Sequence, residues 1–310
     1  MKKIAQSWNM MKVTTGLIGR HPFLLAYLLA IGIGVGAVLG AMVAPVGVNL
    51  AGHGINAQFL EPYASVTMTA GRAANAGSVD KINPHWETLA PVFVGAYFLG
   101  TFIVVFFNVA LLISARRLLN GQEATFSGGI AAAWERRGAI AQWSLFAATV
   151  GLVMQFIKNK MDNWLLKRII GAGQLAWALA TFLVIPVLAV EGGGPLQVLR
   201  RSTGLFKKTW GETLAAEVGI GTLGVILWFV VGLIPAAGMM WEGTNVISSN
   251  SGEMFFGAGF CWMVLSGLLI GILGEICSAV FKIVLYIYAS EGVVPAEYKD
   301  DHSAWFVAQN

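Results

Sequence analysis

The chain has 310 residues, of which 56% are hydrophobic and only 12% charged, with a formal net charge of +4. A soluble globular domain carries about 25% charged residues, so this composition cannot cover a water-facing surface of that size. The 38 glycines follow no three-residue period, which excludes collagen, and the low charge and long apolar runs exclude disorder. A polytopic membrane protein remains.

A spanning helix needs about 20 mainly apolar residues. In chain order, six runs qualify: residues 22–46, 89–115, 140–157, 172–190, 213–239 and 255–289. The first is longer than the roughly 7–15 residues of a signal-peptide core, so an uncleaved span is expected. The third is short and can extend back through Ala131. The sixth is long enough to tilt or to run past the membrane. It carries both cysteines, Cys261 and Cys277, about 24 Å apart on one helix. That is beyond disulfide reach, and small apolar core residues are the expected role.

Lys and Arg in the flanks set orientation. Fourteen lie on the side that holds both termini and six on the other. Both termini are therefore expected in the cytoplasm of a prokaryotic cell, with the chain in its inner membrane. The connection 158–168 has four basic residues yet falls outside, against the trend.

Between the spans, the largest outside segment, 47–88, is small and glycine-bearing. His53, Glu61, His85 and Glu87 are metal-ligand types, but no compact spacing joins them, so no metal or cofactor is expected. The inside segments are basic and tryptophan-bearing. The run from Pro195 to Trp210 alternates Leu196, Val198, Leu199, Leu205 and Phe206 with the pairs Arg200–Arg201 and Lys207–Lys208. It reads as an amphipathic helix lying in the interface near anionic headgroups, with Trp210 as anchor and Gly204 as a point of interruption. Arg136 and Arg137, beside Trp134, mark a similar segment before the third span. Ordinary topology-setting charge beside a membrane helix is the plainer account of both segments.

The segments also resemble one another. Thr14-Thr-Gly-Leu-Ile precedes the first span and Ser202-Thr-Gly-Leu-Phe the fifth, while Arg136-Arg-Gly-Ala-Ile precedes the third. Glu191-Gly-Gly-Gly-Pro follows the fourth span and Glu291-Gly-Val-Val-Pro the sixth; Asn120-Gly121 follows the second less similarly. The expected fold is an all-α transmembrane bundle of six spans. It would comprise three parallel copies of an interfacial helix plus a two-span hairpin, over 1–121, 122–195 and 196–295, with a tail at 296–310.

Within the spans, Gly32, Gly36 and Gly40, and Gly267 and Gly271, line helix faces that permit close approach, inside the bundle or between copies of the chain. Gly219, Gly221 and Gly224 narrow the fifth span. Glu217 and Glu275 fall inside spans, where a charge costs at least ~2.5 kcal/mol on insertion scales and takes a partner, a cavity or water. Lys282 lies on the Glu275 face about 10 Å away.

No P-loop, H-E-x-x-H, C-x-x-C or G-x-S-x-G occurs, and no catalytic residues stand out. The stretches 186–195, 199–212 and 285–295 resemble a family of uncharacterised prokaryotic six-span membrane proteins. That resemblance implies the topology and carries no activity. The expected function is therefore a non-enzymatic scaffold or lipid organiser acting through its basic segments. Its partners would be membrane lipids, anionic ones included, or a second copy, and not nucleic acid. A transporter or channel using Glu217 and Glu275 is the alternative, and an interfacial lipid enzyme comes third.

Overall fold

The computed structural model describes residues 12, 14–50, 86–160, 164–245 and 251–292. Inside the helices, the side chains at 43–50, 86–89, 159–160, 164–167, 169, 210–219, 243–245, 251–254 and 256 lie outside that description. Every regular element among the described residues is helical. After a helical stretch over 14–20, they are α1 (Phe23–Leu50), α2 (Trp86–Leu119), α3 (Phe126–Glu135), α4 (Arg137–Lys160), α5 (Trp164–Thr181), α6 (Val184–Val190), α7 (Pro195–Trp228), α8 (Ile234–Asn245) and α9 (Ser251–Glu291). A π-helical turn, Phe229–Leu233, joins α7 to α8.

Six membrane-length apolar stretches lie within these helices: Phe23–Met42, Ala90–Leu119, Arg137–Lys158, Ile170–Val190, Ile220–Glu242 and Gly257–Glu291. They bear out the expected count of six. Several helices exceed a bilayer. The 41 residues of α9 rise about 62 Å, against a hydrocarbon core of about 30 Å.

The excess length is used for packing at one end. The buried core gathers residues 17–27, 105–119, 183–189, 198–206 and 276–287, with Ile140 and Trp143. All of these lie toward the end where the Arg and Lys pairs cluster. The opposite halves of the spans expose Ile33, Phe93, Val153, Val225 and Leu269. Such exposure is disfavoured in water but neutral in lipid, whose tails are as apolar as the side chains.

The short helix α3 starts at Thr125, whose Oγ1 accepts from Gly128 N at 3.1 Å, the usual N-cap bond. It ends at Arg136, and the third span starts at Arg137 rather than at Ala131. Tyr27 ties α1 to this joint. Its hydroxyl lies 2.8 Å from Ser114 Oγ and donates to Phe126 O at 3.0 Å.

Proline disturbs the backbone bonding of two spans, because it lacks an N–H and clashes with the carbonyl four residues back. Pro186 breaks the fourth span into α5 and α6 at Phe182–Leu183. Buried Ser202 of α7 fills the gap: its Oγ accepts from Leu183 N at 3.1 Å and donates to Ala180 O at 2.7 Å. Pro235 lies just after the π turn and leaves Val231 O without its usual donor. The indole of Trp262 in α9 donates to that oxygen at 2.8 Å.

Two sequence expectations are corrected here. Gly204 does not interrupt α7, which is one 34-residue helix that runs on into the fifth span. Its apolar side chains Val198, Leu205 and Phe206 are buried in protein, not in lipid. The glycine faces also differ. A Cβ at Gly32, Gly36, Gly40, Gly221, Gly224 or Gly271 would meet nothing within 4 Å. Close approach falls instead at Gly34, where a Cβ would stand 2.8 Å from Ile103 Cγ2, and at Gly232 and Gly267 against Trp228. Gly267 alone of the expected packing glycines serves that purpose.

Ser202→Ala leaves the buried Leu183 N–H unpaired and is expected to lower stability by ~1–3 kcal/mol; Trp262→Phe frees a carbonyl at the exposed Val231 and is expected to cost less, ~0.5–1.5 kcal/mol, both measured by denaturant unfolding in micelles.

Candidate functional site

The basic flank is organised by α7. Viewed down its axis, Val198, Ser202, Leu205, Phe206 and Thr209 share one face and are buried. Leu196, Arg200, Gly204, Lys207 and Lys208 share the opposite face and are exposed. The periodicity that buries one face therefore presents three cations together on the other.

Arg201 points sideways and is committed within the protein. Its Nε donates to Glu191 Oε1 at 2.8 Å and to Oε2 at 3.1 Å. Tyr286 of α9 donates its hydroxyl to the same Oε1 at 2.7 Å. Glu191 thus joins the end of the fourth span to α7 and to the sixth. Its carboxylate holds the Arg201 guanidinium above the usual arginine range, chiefly through the hydrogen bond, so this cation keeps its charge at any working pH. A second tie links Arg116 Nη2 of α2 to Glu291 Oε1 of α9 at 2.8 Å. Gly121, Gly192 and Gly292 follow the ends of the three even spans, each with φ near +70°, where glycine is the unstrained residue.

The other expected basic residues are held locally. Arg136 Nη1 donates to Ala132 O at 3.3 Å. Arg137 Nη1 donates to Trp134 O at 3.1 Å, and its guanidinium lies 5.4 Å from the indole centroid. Trp210 and Glu217 are helical residues of α7 whose side chains lie outside the described ones. Lys282 does not lean toward Glu275. Its Nζ stands 5.1 Å from the Phe182 ring centroid, and Phe182 packs edge-on against Phe206 at 6.0 Å.

Glu275 is exposed on α9 and lines an open groove of 570 Å³. Leu28 and Gly32 of α1, Trp228 of α7, and Gly267 and Gly271 of α9 also line it. Apart from Glu275 and the indole N–H of Trp228, which donates to Met263 O at 3.3 Å, the walls are apolar. A second apolar groove, of 530 Å³, lies further along the same face of α1, against α2, past Met42, Phe93 and Tyr97. Asn108 Nδ2 of α2 donates to Val104 O of its own helix at 3.0 Å.

Among the described residues, no three His, Cys, Asp or Glu side chains gather to hold a metal ion. Of the four candidate ligands, His53, Glu61 and His85 lie outside the described residues, as does the side chain of Glu87. Sequence reasoning missed Ser202, Trp262, Tyr286 and the role of Glu191. The repeated Glu-Gly before proline was the available signal for Glu191; nothing local marked the others.

The helices and their apolar surfaces define a multi-pass, all-helical membrane protein. Residues 89–295 match a family of unknown function, DUF6159, and the chain belongs to that family. No curated protein and no solved structure matches it.

The Arg201–Glu191 pair is partly exposed, so a double-mutant cycle across it is expected to give a coupling below ~1 kcal/mol. Tyr286→Phe removes a donor from the same carboxylate and is expected to lower stability by ~1.5 kcal/mol, read from the same unfolding curves.

Proposed function

We propose that this is a non-enzymatic membrane protein that organises lipid along its basic flank. The observation that carries this reading is the segregation of α7: an apolar face spent inside the protein and an outward face bearing Arg200, Lys207 and Lys208. A cation near an anionic membrane surface gains about 1 kcal/mol, so three on one face attract several headgroups. The two apolar grooves along α1 extend the same role, since each offers an acyl chain a wall of protein. In this reading the basic flank is cytoplasmic, in the inner membrane of a prokaryotic cell, and 296–310 is a cytoplasmic tail.

The three-unit organisation, 1–121, 122–195 and 196–295, belongs to the same proposal. Its support is the left-handed glycine after each even span and the matched burial of equivalent residues: Thr14 with Ser202, Leu17 with Leu205, and Ile18 with Ile140 and Phe206. The open glycine face of Gly32, Gly36 and Gly40 offers room for a second copy. The transport alternative draws on Glu275 and its groove, whose other walls are apolar.

The test is lipid retention. Protein extracted from membranes of mixed phosphatidylglycerol and phosphatidylcholine is expected to keep phosphatidylglycerol preferentially, and less so at high salt. The triple variant Arg200→Gln, Lys207→Gln, Lys208→Gln is expected to lose that preference. Equal retention by variant and wild type would overturn the proposal.

A further inference from the structure

The groove between α1, α7 and α9 carries a charge that the basic flank does not use. Its α9 wall runs from Met263 to Glu275, twelve residues, or about 18 Å. That is close to one leaflet of hydrocarbon, about 15 Å deep. Glycines 267 and 271 make this wall shallow, and the groove's 570 Å³ lies within the range of about 300–1,000 Å³ typical of small-ligand sites. The carboxylate sits at one end of the stripe and the Trp228 indole toward the other.

Two cation ties fix the depth of that carboxylate. Arg201 is level with Tyr286, and Phe206 is level with Lys282 through the Phe182 ring. Lys207 and Lys208, one and two residues further along α7, are therefore level with about Val280 and Phe281. Glu275 lies about five residues, or ~7 Å, further along α9 toward the apolar halves of the spans. An ionised carboxylate accepts hydrogen bonds and offers none. In apolar surroundings it is disfavoured unless a cation or water meets it. Among the described residues Glu275 has no ion-pair partner.

We propose that this groove binds a single-chain amphiphile with a positively charged ammonium head. Its chain lies along the Met263–Gly271 stripe and its ammonium meets Glu275. An anionic amphiphile of the same length is repelled by the carboxylate. A neutral one fills the apolar wall but leaves the charge unmatched. The inference uses none of Arg200, Lys207 or Lys208, and it narrows the occupant of a groove that the proposed function gives to acyl chains in general, so loss of phosphatidylglycerol retention at the basic flank and loss of labelling in the groove are separate outcomes.

The experiment uses the full chain in phosphatidylcholine nanodiscs with three photoreactive probes: dodecylammonium, dodecanol and dodecyl sulfate, each with a diazirine near the chain end. Labelled peptides are mapped by mass spectrometry. Dodecylammonium is expected to label 28–32 and 263–275, with competition by unlabelled dodecylammonium. Dodecanol and dodecyl sulfate are expected to label these segments up to about fivefold less. Glu275→Gln is expected to lower dodecylammonium labelling to the dodecanol level, while Glu275→Asp keeps it. Gly271→Leu, where a side chain meets nothing within 4 Å, is expected to fill the groove and block all three probes. Equal labelling by the three probes overturns the proposal, as does labelling unchanged by Glu275→Gln. Cross-links joining groove peptides of two copies would also overturn it, by showing that a second chain occupies the site.

Discussion

A backbone amide or carbonyl in lipid has no water to turn to, so any break in a spanning helix must be closed by another part of the protein. In this chain proline breaks one span and removes a backbone donor from another, and a neighbour's side chain serves each site. Ser202 of α7 serves both sides of the break before Pro186. Trp262 of α9 serves the carbonyl freed by Pro235. These bonds settle more than local stability. Ser202 fixes the rotation of α7 about its own axis, and that rotation turns Arg200, Lys207 and Lys208 outward. Trp262 holds the π turn against α9 beside Trp228, a wall of the groove that ends at Glu275.

The distribution of packing follows from the solvent on each side. Toward the basic flank the helices bury a continuous core, closed by the Glu191–Arg201–Tyr286 and Arg116–Glu291 ties. Toward the other end the same helices separate and leave two grooves along α1. In water, walls so apolar would drive collapse. In a bilayer lipid tails fill them at little cost, and association between helices depends on close contact instead. The glycines that face nothing, Gly32, Gly36, Gly40 and Gly271, are thus surface features that shape what lies against the protein.

Much of the architecture was legible in the sequence. The six spans follow from apolar run length, because lipid thickness sets a minimum that few other structures meet. The amphipathic pattern of 195–210 was legible as well, but its partner was not. Apolar residues at helical spacing say that a face is buried, and they do not say whether protein or lipid buries it. The same ambiguity misplaced the glycines. A G-x-x-x-G spacing permits close approach, yet Gly34, between two members of the motif, makes the contact with Ile103. Ser202 and Trp262 were illegible because each acts on a break far away in the chain, and only the folded arrangement brings them together. Glu275 was visible as a charge within an apolar run, whereas its groove is built by α1 and α7.

The most direct test is a structure of the chain in nanodiscs containing phosphatidylglycerol, at a resolution that shows lipid and water. The account predicts ordered headgroups against Arg200, Lys207 and Lys208, acyl-chain density in the grooves beside α1, and no water file through the bundle. A continuous hydrated path through Glu275 from one side of the membrane to the other, with the basic face of α7 free of lipid, would contradict it.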